Sequence, residues 1–370
     1  MDTLLEPLVD RIRDAAARGE GLCIRAGGSK DFYGNLSRGE ILDPRPLQGI
    51  LAYDPDELVI TARAGTLLAD IEAALAAEGQ MLAFEPPHFG TAATLGGCVA
   101  AGLAGPRRTS AGTTHGSLRD FVLGATLLDG RGRLLRFGGT VMKNVAGYDV
   151  ARVLAGSLGI LGLIVELSLK VLPRPRAEAT LAFEMDESTA LRQLNLWAGQ
   201  SLPLSASGWC AGLLMLRLSG AEAAVRAAQS GLGGVRVPPQ AATVYWQGIR
   251  EQQLPWFGGD AALWRMALPS TAAPLATNGL LVSAASLAPD TPQFIEWGGA
   301  QRWLRSDAPA AGLRALATAL GGHATLFRGG DRATGVFTPL SPALHAIHAR
   351  LKAQFDPSGV FNPGRLVTGL

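Results

Sequence analysis

The chain has 370 residues, of which 48% are hydrophobic, and a formal net charge of +2. This length allows a sizeable core and, at about 100–200 residues per domain, predicts two domains. The small net charge argues against nucleic acid or an anionic lipid surface as a partner, and 47 glycines and 22 prolines without a period exclude collagen-like and low-complexity chains.

An amphipathic pattern opens the chain and predicts a helix over 4–18, closed by Gly19. A short strand is predicted at 22–25, and the chain then turns through Ala26-Gly27-Gly28-Ser29-Lys30. A glycine turn with a lysine after a strand is able to cradle a phosphate. Taken alone, however, an ordinary tight turn explains this loop more simply.

Residues 57–62 alternate as a strand, and 67–77 have apolar residues at helical spacing before Gly79. This rhythm predicts an α/β unit. Further along, the predicted elements are a hairpin of strands 121–128 and 134–137, a helix over 150–154, a turn at 156–159 and a long buried strand over 160–171.

After Pro173 the segment PRPRAEA marks a composition break and a domain boundary. From there to about residue 330, predicted strands and predicted helices are interspersed. Strand candidates include 211–220, 279–287, 293–305 and 323–329, with helices at 221–232 and 314–322. A last helix is predicted to start at Ser341-Pro342 and to stop at Asp356-Pro357.

Small residues crowd the segment 90–105. So few side chains cannot fill a core, but they leave backbone N–H groups bare for close approach to another molecule. Several such groups in a row form a nest for an anion such as a pyrophosphate. We interpret this segment as lying along a dinucleotide cofactor.

Six segments occur in an order that is typical of one family: RAGGSK, GTAATLGGCVA, HGSLRDFVLGATLLDG, KNVAGYD, GSLGILGLIVE and FDPSGVFNPGR. On these the chain resembles the FAD-linked oxidases of the vanillyl-alcohol oxidase and p-cresol methylhydroxylase (PCMH) type. Within that family, TVMKNVAGYDVARVLAGSLGILG and FIEWGGAQRWL are similar to the FAD-binding E subunits of bacterial glycolate oxidases.

The resemblance implies an α+β fold with a two-subdomain PCMH-type FAD-binding domain over 1–175. It also implies a smaller α/β cap domain with an antiparallel sheet over 176–335, and a C-terminal segment, 336–370, that returns to the FAD domain. Residues 24–34 contain neither His nor Cys, so noncovalent FAD is expected. The residues that the resemblance assigns to cofactor binding are Arg25, Ala26, Gly27, Gly28, Ser29, Lys30, Pro87, Thr91, Thr94, Leu95, Gly96, Gly97, Gly102, His115, Gly116, Gly162, Ile164 and Asn362.

Leu158 stands where many relatives have a glutamate, which removes a carboxylate. The histidine-rich cap motif of related hydroxy-acid dehydrogenases is absent from the sequence, and His345 and His348 are interpreted as a solvated helix face, so no metal is expected. The catalytic residue is unknown. The candidate is Arg302, which could pair with a carboxylate, although a surface strand with a bulge at Gly298-Gly299 explains the same segment.

Two smaller features stay open in the sequence. Lys143 and Asn144 either touch the flavin or form a structural turn. Cys98, in the glycine-rich run, is interpreted as a small packing residue.

The function implied is that of a flavoprotein subunit of a glycolate oxidase (2-hydroxy acid dehydrogenase) complex. It would oxidise glycolate to glyoxylate with a second FAD subunit and pass electrons to an iron–sulfur subunit, because three cysteines cannot hold a cluster alone. We expect a cytoplasmic location, within a complex whose partner subunits can place it at the inner face of the membrane. The alternatives are a stand-alone FAD-dependent 2-hydroxy acid dehydrogenase and a noncatalytic assembly subunit that retains the flavin pocket.

Overall fold

A computed structural model describes residues 3–108, 116–140, 149–275 and 293–370. Its contacts divide the chain into two compact units. The first consists of Met1–Leu103, Ser117–Pro173 and Pro339–Leu370, and the second of Ala104–Gly116 and Arg174–Thr338. The domain bounds expected from the sequence, 1–175, 176–335 and 336–370, stay a prediction. The predicted strand 279–287 lies outside the described residues.

The first unit contains short helices and two kinds of strand pairing. Its helices are α1 (Glu6–Arg18), α2 (Leu68–Ala77), α3 (Leu95–Ala101), α4 (Leu118–Phe121), α5 (Val150–Val153) and a C-terminal helix described below. Its strands are β1 (Leu22–Ile24), β2 (Glu40–Leu42), β3 (Ile50–Asp54), β4 (Val59–Arg63), β5 (Gln80–Met81), β6 (Val122–Leu128), β7 (Leu134–Gly138), β8 (Leu163–Lys170) and β9 (Leu172–Pro173).

Five of these strands form one sheet in the order β3-β4-β8-β6-β7, and every pairing in it is antiparallel. The middle strand is β8, which explains the long apolar run that the sequence shows there. The strand, helix and strand expected at 57–82 are present as β4, α2 and β5, but β5 does not pair with β4. It pairs instead with β9 in a separate antiparallel pair.

A third sheet of this unit is the parallel pair β1-β2, which the C-terminal segment extends through a bridge between Leu22 and Phe361. Helix α1 buries Ile12 completely against the same core as Leu22 and Phe361. Gly19 ends α1 in the left-handed conformation at φ 66, which glycine adopts without a steric penalty. Strand β1 thus leads directly from a packed core into the glycine turn that begins at Arg25.

The second unit is built on an eight-stranded antiparallel sheet in the order β13-β10-β12-β11-β15-β16-β14-β17. The antiparallel cap sheet expected from the sequence is therefore present, and it is the larger of the two main sheets. Its strands are β10 (Ala177–Glu184), β11 (Leu204–Cys210), β12 (Leu213–Gly220), β13 (Val235–Arg236), β14 (Leu263–Ala267), β15 (Gln293–Glu296), β16 (Gln301–Arg305) and β17 (His323–Arg328). The helices of this unit are α6 (Glu187–Ala198), α7 (Glu222–Leu232), α8 (Pro239–Arg250) and α9 (Ala310–Ala319).

The segment 293–305 was predicted as one surface strand with a bulge, and this is wrong. It forms the hairpin β15-β16 around a 3-10 turn at Trp297–Gly299. Gly298 and Gly299 both have positive φ, 65 and 101, as a turn this tight requires. Both strands are largely buried.

The last helix, α10 (Pro342–Phe355), begins and ends where the sequence predicted. The Ser341 hydroxyl accepts a hydrogen bond from the Leu344 N–H at 3.4 Å, as an N-cap does. Most of the helix is exposed, but Lys352 is buried. Among the described residues, no helix has both the length and the apolar character needed to cross a bilayer.

Candidate cofactor site

The glycine turn after β1 (residues 25–30, the first loop) and the small-residue segment that leads into α3 (residues 90–97, the second loop) contact each other. A Cβ placed on Gly27 would lie 1.6 Å from the carbonyl oxygen of Ala92, so the loops approach as closely as only glycine allows. Gly28 next to it has φ +69, which completes the sharp turn after β1. Two segments more than 60 residues apart in the sequence therefore form one surface.

A cleft opens between these loops and the C-terminal segment. Small residues of the first loop and of α3 form two of its walls. The charged residues of the lining lie in the first loop and in the C-terminal segment. It is lined by Ile24, Arg25, Ala26, Gly27, Gly28, Ser29, Lys30, Asp31, Thr94, Gly97, Ala100, Ala101, Leu158, Asn362 and Arg365. All of them belong to the first unit.

Three cationic side chains line this cleft: Arg25, Lys30 and Arg365. The Lys30 Nζ donates to the Ser29 hydroxyl at 3.3 Å and to the His88 carbonyl at 3.2 Å, which holds it along the loop. Arg25 is paired with Asp31 at 2.6 Å. The positive charge thus exceeds the negative charge of the lining by two, which favours an anionic ligand.

Helix α3 presents its small residues to the cleft, and Thr94 caps it by accepting from the Gly97 N–H at 3.3 Å. Of the backbone N–H groups from Thr94 to Gly97, which the sequence assigned to the cofactor, those of Leu95, Gly96 and Gly97 have partners within the protein. The Leu95 N–H donates to the Thr66 carbonyl at 2.9 Å and the Gly96 N–H to the Ala64 carbonyl at 2.7 Å, so neither is available. Gly97 is exposed and lines the cleft, whereas Gly96 is buried.

Asn362 is 2% exposed and joins two walls of the cleft. Its Nδ2 donates to the Leu158 carbonyl at 2.6 Å, and its Oδ1 accepts from the Ile24 N–H at 2.8 Å. One side-chain amide thus connects two parts of the chain that are 204 residues apart in the sequence. Leu158 has a φ of 51, unusual for a non-glycine residue.

Several predicted residues lie outside the cleft lining. Gly102 caps the C-terminus of α3, and a Cβ on it would lie 2.7 Å from the backbone of Gly156. A Cβ on Gly162 would lie 2.5 Å from the Leu128 carbonyl of β6, so this glycine serves strand packing. The remaining predicted residues outside the cleft lining are Pro87, Thr91, Leu95, Gly96, Gly116 and Ile164. Their contact with a cofactor stays a prediction.

Three residues singled out in the sequence lie outside the described residues: His115, Lys143 and Asn144. Conversely, the sequence interpretation missed Ile24, Asp31, Ala100, Ala101 and Arg365. Arg365 follows directly on the Asn362-Pro363-Gly364 motif, so its position next to a predicted residue was the available signal. Cys98 is buried as a small packing residue, and burial raises the pKa of its thiol to about 12.

Arg302, the catalytic candidate, is completely buried in the second unit. Its guanidinium donates to the Ala273 carbonyl at 2.7 Å, to the Gly299 carbonyl at 3.3 Å and to the Ala272 carbonyl. Burial lowers its pKa to about 10, with Glu187 opposing that shift from 3.9 Å. These contacts give Arg302 a bracing role on the hairpin, and the expectation that it meets a substrate carboxylate loses its basis.

The same hairpin buries a carboxylate. Glu296 is 3% exposed, and its Oε2 accepts from the Trp303 Nε1 at 2.5 Å and from the Gln301 Nε2 at 2.9 Å. Burial raises its pKa to about 7. In the described part of the chain, no group of three or more His, Cys, Asp or Glu side chains could hold a metal ion.

A flavin dinucleotide fits this cleft on two observations. The surplus of cationic side chains suits a pyrophosphate, and the wall formed by Gly97, Ala100 and Ala101 leaves room for close approach. A Cβ on Gly97 would meet only the Thr94 Oγ1, at 3.2 Å, so the absence of a side chain there serves the open cleft.

Comparison with known proteins gives four similarities. Residues 5–138 match the family model described as FAD binding domain. The chain is 47% identical to the glycolate oxidase subunit GlcE of Escherichia coli over 365 residues, which covers 99% of this chain and 98% of that protein. It is 30% identical over 187 residues to the glycolate oxidase subunit GlcD of Bacillus subtilis, covering 50% of this chain and 37% of that one.

Among solved structures, an alkyldihydroxyacetonephosphate synthase superposes with a TM-score of 0.65 at 15% identity. The match covers 97% of this chain and 74% of that one. At this identity the similarity concerns the fold.

Proposed function

The chain belongs to the family of the glycolate oxidase subunit GlcE, and from this we propose that it is the FAD-binding subunit of a glycolate-oxidising complex. The family membership confirms the resemblance seen in the sequence, the PCMH-type fold and FAD as the cofactor. The observation that supports the proposal most directly is the contact of Gly27 with Ala92, which unites the two glycine loops in one cleft.

In this proposal the first loop binds the pyrophosphate. The backbone of Gly27 and Gly28 approaches it closely, and Lys30 and Arg365 offset its charge. Thr94 and Gly97 line the opposite wall, and Asn362 holds the C-terminal wall against β1. The absence of His and Cys from 24–34 keeps the expectation that the cofactor is held without a covalent bond to this loop.

Bound FAD supplies an acceptor for two electrons. We propose glycolate as the donor, which would become glyoxylate, and an iron–sulfur subunit as the next electron carrier. Three cysteines in the chain, all free and without a C-x-x-C pair, favour a cluster held by a partner. A second FAD subunit would complete the substrate site, since the cap of this chain lacks a histidine-rich motif.

The test is anaerobic reduction of the purified flavoprotein with glycolate, alone and with its co-expressed partner subunits. We expect the isolated chain to hold FAD and to keep its visible flavin spectrum with glycolate, while the complex is bleached. Bleaching of the isolated chain by glycolate or lactate would instead establish a stand-alone dehydrogenase. A chain that purifies without flavin and does not take it up would contradict the proposal and favour an assembly role.

A further inference from the structure

A lysine is buried at the end of α10, where most of the helix is exposed. Lys352 is 5% exposed, and its Nζ donates three hydrogen bonds. The acceptors are the Asp356 Oδ2 at 2.6 Å, the Ile160 carbonyl at 2.7 Å and the Phe361 carbonyl at 2.8 Å. All three ammonium hydrogens thus have a partner, as a buried cation requires.

Asp356 is 1% exposed and binds the chain that follows it. Its Oδ2 accepts from the Phe361 N–H at 2.8 Å as well as from Lys352, and its Oδ1 accepts from the Val360 N–H at 3.1 Å. A Cβ on Gly130 would lie 2.4 Å from that Oδ1, so the turn between β6 and β7 packs directly on the carboxylate. The pair therefore fixes the loop 356–361 at both ends.

The two carbonyls that Lys352 holds lie next to the cleft. Phe361 precedes Asn362, and Ile160 follows Leu158 by two residues. Asn362 bonds to Leu158 and, through its own N–H at 2.8 Å and its side chain, to Leu22 and Ile24 of β1. A continuous set of hydrogen bonds thus runs from Lys352 to the strand that leads into the first glycine loop.

We propose that the Lys352–Asp356 pair is a positioning lock for the cofactor cleft, which fixes Asn362 against Leu158 and thereby sets FAD affinity without touching FAD. This inference rests on the proposed function. Burial lowers the pKa of Lys352, and Asp356 opposes that shift, so the cation is retained by its partners. Burying an ion pair costs desolvation and seldom increases stability over apolar packing, but it does specify one geometry.

The experiment is a double-mutant cycle on the full-length chain, freed of FAD and titrated with FAD by flavin fluorescence. The variants are Lys352→Met, Asn362→Gly and the double variant, and glycine is chosen at position 362 because φ there is 41. Arg350→Met is the matched control, since it removes an exposed cation two residues away on the same helix. Circular dichroism and thermal unfolding of the apoprotein show whether each variant is folded.

We expect Lys352→Met to raise the Kd for FAD by about tenfold, because removing one partner of a buried pair disturbs the whole site. Asn362→Gly should raise the Kd by a similar factor. The double variant should have the same Kd for FAD as whichever single variant binds FAD less tightly. Such nonadditivity shows that Lys352 acts through Asn362. The control should bind FAD as the wild type does.

Two results would overturn the lock: a folded Lys352→Met variant with wild-type FAD affinity, or effects of the two substitutions that multiply in the double variant. If Lys352→Met does not fold, Asp356→Asn replaces it in the same cycle, and failure of both to fold assigns the pair to general stability and overturns the proposal. If the wild-type chain binds no FAD, the proposed function itself is refuted. If the wild type binds FAD and Lys352→Met binds it with the same affinity, only the lock is refuted.

Discussion

Gly96 and Gly97 are neighbours in α3, yet we predict opposite consequences when each is replaced by alanine. A Cβ on Gly96 would lie 2.7 Å from the Ala64 Cβ and 3.0 Å from the Ala64 carbonyl oxygen. Carbon atoms in contact are normally about 3.5–4.0 Å apart, so α3 would have to move by roughly 1 Å. A Cβ on Gly97 would meet only the Thr94 Oγ1, at 3.2 Å.

The magnitudes follow from packing and helix propensity. Overpacking at Gly96 costs about 1–3 kcal/mol, and the better helix propensity of alanine returns about 0.5–1 kcal/mol, so a net loss of about 1–2 kcal/mol in unfolding free energy is expected. Gly97→Ala has only the small Thr94 contact to set against the same helix gain, so its apoprotein should be at least as stable as the wild type. Gly97→Val extends further into the cleft and should weaken FAD binding most.

Urea unfolding of the apoproteins and FAD titration of the folded variants separate the two effects. Gly96→Ala should lower the unfolding midpoint while the folded protein still binds FAD. Gly97→Ala should leave the midpoint unchanged or raised but weaken FAD binding, and Gly97→Val more so. If Gly97→Val binds FAD as tightly as the wild type, the cofactor does not pass along this face of α3 and the assigned site is refuted.

Three further predictions concern Glu296, Gly27 and Arg302. Because burial raises the pKa of Glu296 from 4.5 to about 7, its contribution to stability is full below pH 4.5 and is lost as pH rises through about 7. That difference is worth about 3 kcal/mol, so Glu296→Gln should flatten the dependence of Tm on pH between these values, and an unchanged slope would contradict the assignment. Gly27→Ala places a Cβ 1.6 Å from the Ala92 carbonyl oxygen and should abolish flavin absorbance in the purified protein, whereas Gly139→Ala, with no atom within 4 Å, should retain it; equal retention would count against the loop contact. Arg302→Met removes the donor of three carbonyls, at about 1–3 kcal/mol for that of the buried Gly299 and less for those of the partly exposed Ala272 and the exposed Ala273. It should therefore lower Tm; an unchanged Tm with lost glycolate turnover in the complex would restore a substrate role.

The sequence predicted the local elements closely because their signals act between near neighbours. Gly19 ends α1 and Ser341 caps α10 at the positions that their residue types favour. The hairpin over 293–305 was misinterpreted because two strands joined by a glycine turn read, in one dimension, like one strand with a bulge. The strand, helix, strand order around α2 was predicted, but spacing along the chain does not say which strand is the partner, and β5 pairs with β9.

The sequence by itself identified an FAD-binding chain from two glycine-rich loops and an N-P-G motif. These motifs can be read without the tertiary structure because they occur in an order that is typical of the family. Only the tertiary structure decided that the N–H groups of Leu95 and Gly96 in the second loop are already engaged, because their partners lie on the segment after β4. It also decided that Arg302 braces a hairpin and that Lys352 holds Ile160, 192 residues away. The physical reason is burial: a charged side chain takes its role from the acceptors that surround it, and distant parts of the chain supply them.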